Sequence, residues 1–194
     1  MLAFLGGTGP EGKGLALRLA AAGEPVIIGS RDAGRAATAA EELLQLAPGT
    51  NISGAGNAQA ATQADVVFLA FPYEGQRSTL EQLKNTLAGK VVVDVIAPMS
   101  FQRGRGASAV EVEAGSAAQE AQELLPDSLV VSAFQNISAA ELQQPDTVMD
   151  GDVIVCTDHA EANSVGMELV RKSHSLRSVD GGGLDNYMYV EQIT

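Results

Sequence analysis

The residues best placed to do chemistry in this chain are glycines and cations, not a nucleophile or a base. Gly6-Gly7-Thr8-Gly9-Pro10-Glu11-Gly12 carries a GxGxxG on Gly7, Gly9 and Gly12. That spacing lets a backbone turn tightly and approach a pyrophosphate on the first turn of a helix, where unpaired N–H groups and the helix dipole favour negative charge. About 20 residues past such a loop, folds that take NAD place an acid against the ribose 2′-hydroxyl. Here Ser30 and Arg31 stand in that place. A hydroxyl and a guanidinium suit a 2′-phosphate, which a carboxylate would repel, so the expected nucleotide is NADP. Arg35, one turn into the following helix, is a further candidate for the same phosphate, although an arginine on a helix face is more often simply solvated.

A glycine motif alone says little, and its weight comes from the elements around it. It follows a short apolar strand, Leu2 to Leu5, opens an alanine-rich helix, Gly12 to Ala22, and leads to a second strand, Pro25 to Ile28, within the span of a βαβ unit. Strands are expected near 2–6, 25–30, 51–54, 65–70, 90–96, 128–133, 152–157 and 176–179, with helices over 11–22, 32–46, 57–63, 75–86, 114–124 and 160–172. This alternation implies an α/β, Rossmann-type, doubly wound and mostly parallel sheet with a short C-terminal extension. Residues 1–150 are expected to form the NADP-binding Rossmann domain, and 151–194 a strand–helix–strand extension and tail of the same domain, with a bend at Gly181-Gly182-Gly183. The largely apolar runs Asp65 to Ala70 and Lys90 to Val95 read as central strands buried on both faces.

Ligands of such sheets bind beyond the carboxyl ends of the strands, where strand order reverses. Two more segments therefore matter. Phe71-Pro72-Tyr73 follows the fourth strand, and its rings are candidates to wall the track from adenosine to nicotinamide, with core packing as the plain alternative. Ile96-Ala97-Pro98-Met99-Ser100 follows the fifth. Ser100 to Ala109 reads as a flexible exposed loop, whose Arg103 and Arg105 are candidates to meet an anionic substrate, although such residues are more often only solvated.

The base that alcohol oxidation requires is missing from the sequence. Tyr73 is followed by Arg77 and Tyr187 by Glu191, so neither gives a YxxxK pair. His159 and His174 fall late in the chain, with Asp158 reading as a helix cap, and two histidines with one cysteine at these positions make no metal site. Hydride exchange between two ring cofactors needs carbons held face to face and little proton work from the protein, so it is compatible with this absence. A net charge of −12 argues against nucleic acid or anionic membranes as partners. The single Cys156, in an apolar run, fits a buried residue in a reducing cytosol, and the expected location is the cytoplasm.

The strings Gly6-Gly7-Thr8-Gly9 with Gly12 to Ala20, Gly29-Ser30-Arg31, Phe71-Pro72-Tyr73-Glu74 and Val131 to Ala139 together resemble the F420H2:NADP oxidoreductases, the NADPH-dependent reductases of the deazaflavin coenzyme F420. The resemblance implies a Rossmann domain, a homodimer, and reversible hydride transfer between NADP(H) and F420. It implies that Thr8, Ser30, Arg31 and Arg35 hold the 2′-phosphate, that Gly9, Pro10 and Glu11 hold the pyrophosphate, and that Phe71, Ala97 and Ala139 line the nicotinamide half. Gln135, beside Asn136, stands where some members have a histidine facing the deazaflavin; it hydrogen-bonds but does not titrate. The family usually continues past the segment matching Asn186 to Thr194 into a further helical piece. Two other readings of the same motifs are an NADPH-dependent reductase of a flavin or ferric acceptor, and a non-catalytic NADP-binding module.

Overall fold

The computed structural model describes residues 1–102, 106–145, 147–173 and 175–191. Arg103, Arg105, His174 and the last three residues of the tail, all weighed above, lie outside the described residues.

The first half repeats one unit: β1 (Leu2–Leu5), α1 (Pro10–Ala21), β2 (Val26–Ser30), α2 (Ala33–Leu46), β3 (Ile52–Gly56), α3 (Asn57–Gln63), β4 (Val66–Leu69), α4 (Gln76–Leu87) and β5 (Val91–Asp94). The second half adds β6 (Met99–Gln102), β7 (Gly106–Ala109), α5 (Ala117–Leu124), β8 (Leu129–Ser132), α6 (Ala139–Leu142), β9 (Gly151–Cys156), α7 (Ala160–Lys172), β10 (Leu176–Gly182) and α8 (Tyr187–Glu191). Eight strands form one sheet in the order β10-β9-β8-β5-β4-β1-β2-β3. All neighbours are parallel except β8 and β9, where Ser132 faces Cys156 in an antiparallel bridge. The chain runs outward from β1 through β2 to β3, then returns to place β4 on the other side of β1. That reversal opens a crevice above the carboxyl ends of β1 and β4, and the glycine string leaves β1 into it.

Alternation along each strand divides the core between two layers. Leu2 and Phe4 of β1 join Leu15, Leu19, Phe68 and Val131 under α1, α2 and α7, while Ala3 and Leu5 join Leu69, Leu80, Leu83 and Val130 under α3, α4 and α5. Phe4 stacks on Phe68 with ring centroids 4.3 Å apart. Each such fully buried large side chain contributes roughly 1.5–3 kcal/mol against exposure.

The sequence string GLALRLA buries an arginine in the first of these layers. Arg18 is 2% exposed and donates to the carbonyls of Glu141, Leu142, Gln144 and Thr147 at 2.9 to 3.1 Å. It thereby ties down the carbonyl ends of the short α6 and of the turn after it, two of which, Glu141 and Gln144, also accept from the amides of Gln144 and Thr147.

The structure departs from several sequence expectations. Met99–Gln102 and Gly106–Ala109 pair as an antiparallel hairpin in place of the expected flexible loop, with Ser100 and Ser108 hydroxyls 2.9 Å apart across it. Alternating small and polar residues conceal that period from a composition-based reading. Gly181 and Gly182 continue β10 in place of the expected bend, and a bulge between Asp180 and Gly182 absorbs the irregularity. The N-cap of α7 is His159, without a side-chain bond; Asp158 Oδ1 instead accepts from the Leu184 N–H at 3.0 Å. The helices α6 and α8, each of one turn or little more, have no counterpart among the expected elements.

Candidate dinucleotide site

A cleft of about 1190 Å³ lies above the β1–β4 reversal, lined by the glycine turn, the end of β2, the start of α3 and the Phe71-Pro72 turn. Single ligand pockets occupy roughly 300–1,000 Å³, so this one has room for an extended ligand or for two in contact.

The glycine turn is shaped by close approach. A Cβ on Gly12 would lie 2.6 Å from Gly7 Cα, so only glycine lets α1 start this near the strand. Gly9 is the N-cap of α1 and offers no side chain to its first turn. Pro10 has no N–H, and the amides of Glu11 and Gly12 find no backbone acceptor among the described residues. These two donors, at the positive end of a 12-residue helix, are what a pyrophosphate needs. Asn57, which sequence reasoning missed, holds the turn from outside: its Oδ1 accepts from the Gly6 N–H at 3.2 Å, and the residue lines the cleft. Nothing in the sequence marks Asn57, because its partner is 51 residues away.

The far end of the cleft collects Thr8, Ser30, Arg31, Asp32 and Arg35. Ser30 is buried at 6% exposure, and its Oγ accepts from the Asp32 N–H at 3.2 Å, which leaves its own proton for an incoming oxygen. Asp32 is an acid close to the place an NAD binder would use, but its Oδ1 is committed as N-cap of α2, to the amides of Gly34 at 2.8 Å and Arg35 at 3.2 Å. Arg31 and Arg35 are exposed and enter no ion pair among the described residues. One buried hydroxyl, one threonine edge and two uncommitted guanidinium groups therefore converge on one end, and they fit a 2′-phosphate.

The structure brings together most of the expected residues, though not all. Thr8, Gly9, Ser30, Arg31, Arg35, Phe71 and Pro72 line the cleft, with Gly7, Pro10, Glu11 and Gly12 in the turn beneath them. Tyr73 packs instead against the second core layer beside Glu120, where burial first and that carboxylate second raise its pKa. Ala97, Gln135, Asn136 and Ala139 do not line the cleft. Gln135 is 6% exposed, with its amide nitrogen donating to the Asp94 carbonyl at 3.0 Å and to Ser132 Oγ at 3.1 Å, and its oxygen accepting from the Tyr187 hydroxyl. Asn136 donates to the Asp152 carbonyl at 2.8 Å.

Three acids are raised by burial: Glu11 in the glycine turn, and Asp94 and Glu191 outside the cleft lining. Burial pushes the Glu11 carboxyl up to about 8, and its Oε1 is enclosed without a partner. Burial likewise raises Asp94 well above the usual carboxylate range, while Glu191 is pushed up to about 7, restrained by amide bonds from the start of α5. His159 is tied to Gln122 at 2.9 Å, and burial moves the Cys156 thiol up to about 11, a protonated and unreactive form. Among the described residues no three His, Cys, Asp or Glu side chains gather to hold a metal, and no helix is long and apolar enough to cross a membrane.

The strand order, glycine turn and cleft define a Rossmann dinucleotide-binding protein. The family model for NADP oxidoreductase coenzyme F420-dependent matches residues 1–98, and the chain belongs to that family. It is 42% identical to the F420-dependent NADP reductase of Methanothermobacter marburgensis, over the whole of this chain and 88% of that protein. It is also 30% identical to Metalloreductase STEAP3 of Rattus norvegicus, over 96% of this chain but only 35% of that protein. Among solved structures, one provisionally assigned as an F420-dependent NADP reductase from Arthrobacter sp. FB24 superposes with a TM-score of 0.81 at 27% identity, covering 99% of this chain and 89% of that one.

Proposed function

We propose that this protein is an NADP-dependent oxidoreductase that passes a hydride between NADP(H) and the deazaflavin coenzyme F420. The observation that carries the nucleotide half is the Ser30, Arg31 and Arg35 end of the cleft, where the adjoining acid, Asp32, is spent on capping α2. The acceptor half rests on family membership and on the 42% identity to an enzyme that bears this activity in its name.

The nucleotide, when bound, supplies a transferable hydride at its nicotinamide ring. The chain's own part is to bind, orient and exclude water. The amides of Glu11 and Gly12 receive the pyrophosphate, with Gly7, Gly9 and Pro10 shaping the turn. Thr8, Ser30, Arg31 and Arg35 hold the 2′-phosphate, and Phe71 and Pro72 form the wall toward the reacting end. Holding donor and acceptor rings in contact is the main catalytic contribution such a site offers, and it calls for no protein base. By extension of the family reading the protein works as a cytoplasmic homodimer, and sedimentation of the purified chain tests the dimer.

The deciding experiment incubates the full chain with NADPH and oxidised F420, then separately with free flavins and with a ferric chelate, following cofactor absorbance. Turnover with F420 supports the proposal. Turnover only with flavin or iron moves the assignment toward the chemistry in the name of the metalloreductase relative. Tight NADP binding without turnover in any arm leaves a nucleotide-binding module.

A further inference from the structure

A second cavity of about 380 Å³ adjoins the cleft at its 2′-phosphate end. Thr8, Asp32 and Arg35 line both, and the smaller one adds Lys13, Thr38 and Glu42. Lys13 stands on the first turn of α1, its own N–H bonded to the Gly9 carbonyl at 2.9 Å, so its backbone is fixed by the loop that receives the pyrophosphate. Its Nζ lies 2.5 Å from Glu42 Oε2 on α2. The lysine side chain is 24% exposed and the glutamate 55%.

A pair this open to water contributes little to holding two helices together. An ammonium has three donors, and Glu42 is the only acceptor Lys13 meets among the described residues. Lysine also differs from the two arginines in carrying a compact charge on a flexible stem, able to change partners without moving backbone.

Resting on the NADP reading above, we propose that Lys13 is a third cation of the 2′-phosphate site, held aside by Glu42 until the phosphate arrives and then exchanged from carboxylate to phosphate. Glu42 is thereby a specificity residue of opposite sign. It competes with the phosphate for Lys13 and gives nothing back when the nucleotide lacks one. The pair sharpens discrimination between NADP and NAD without touching the pyrophosphate or the nicotinamide end.

The test is calorimetric titration of the full chain with NADP+ and with NAD+ at low salt, for the parent and for K13Q, E42Q, the double variant and R31A. K13Q weakens NADP+ binding by about tenfold, the scale of one charged hydrogen bond, and leaves NAD+ alone. E42Q tightens NADP+ by about two- to fivefold, the scale of an exposed ion pair removed, and again leaves NAD+ alone. The double variant matches K13Q. If K13Q binds NADP+ as the parent does while R31A loses it, Lys13 is idle: the inference fails and the underlying reading stands. If K13Q weakens both nucleotides equally, Lys13 serves the loop and not the phosphate, and the inference fails in another way. If the parent takes both nucleotides equally and R31A changes nothing, the NADP reading itself has failed.

Discussion

The Tyr187 hydroxyl donates to Gln135 Oε1, which joins the last described helix to the end of the central strand β8. Tyr187 is fully buried, and Gln135 spends its remaining donors on Asp94 and Ser132, so the end of β5, the segment after β8 and the start of α8 close on one another through a single amide. Tyr187→Phe keeps the ring and removes the donor, leaving a buried carbonyl oxygen unpaired at a cost of about 1–3 kcal/mol. The measurement is the urea midpoint of the two proteins. An unchanged midpoint means that Gln135 finds another donor, and the three segments are not energetically coupled through it.

Arg18 makes a comparable closure on the other side of the sheet. Its guanidinium serves four carbonyls around α6, a segment with little core of its own. Arg18→Met fills similar space and removes all four bonds, one of them buried, although the Glu141 and Gln144 carbonyls keep the amides of Gln144 and Thr147. A loss of roughly 2–4 kcal/mol is expected, the sum of charged hydrogen bonds partly offset by water reaching the exposed ones. Amide exchange locates the damage: protection should fall first across α6. Uniform loss across the whole sheet would show that Arg18 supports α1 itself.

The sequence discloses this fold wherever the chemistry is local. Strands such as Val91–Asp94 are apolar runs between turn residues, and the glycine turn shows its Gly7–Gly12 contact through spacing alone. The Ser30, Arg31 and Arg35 end of the cleft is legible for the same reason, because these residues belong to one strand end and the helix after it. Contacts made across distance leave no such mark. Asn57 to Gly6, Arg18 to α6 and Tyr187 to Gln135 each join residues more than fifty positions apart, and each polar group looks like an ordinary surface residue until its partner is known. Gln135 shows the limit from the other direction. Resemblance implies a place against the deazaflavin, whereas the fold encloses its side chain in a ring of bonds outside the cleft lining.

Arg31, like Arg35, is exposed at the cleft end and committed to no other charge among the described residues, which makes it a direct probe of nucleotide choice. Arg31→Ala should weaken NADP+ binding by about 1–3 kcal/mol, the usual cost of losing a charged partner, and leave NAD+ nearly untouched. Raising salt should shrink the difference, because the phosphate is then screened from an exposed cation. Equal losses for both nucleotides would place Arg31 at the adenosine or the loop and remove the phosphate assignment.

Glu11 gives the site a pH dependence whose sign follows from burial. The carboxyl titrates at about 8 in the fold against an ordinary value of 4.5, so between those limits the folded chain holds a proton that the unfolded chain has released. Stability from this group is full below about pH 4.5 and is lost as pH rises through about 8. Glu191, at about 7, adds in the same direction over a narrower window, and Asp94 is raised by the same cause. Thermal unfolding of the parent should therefore show stability falling between about pH 4.5 and about pH 8, and Glu11→Gln, which cannot ionise, should flatten part of that slope. The same substitution should preserve NADP+ binding at alkaline pH, where an ionised Glu11 stands in the first turn of the helix that faces the pyrophosphate. An E11Q variant with the parent's slope would show that the Glu11 side chain reaches water when it ionises.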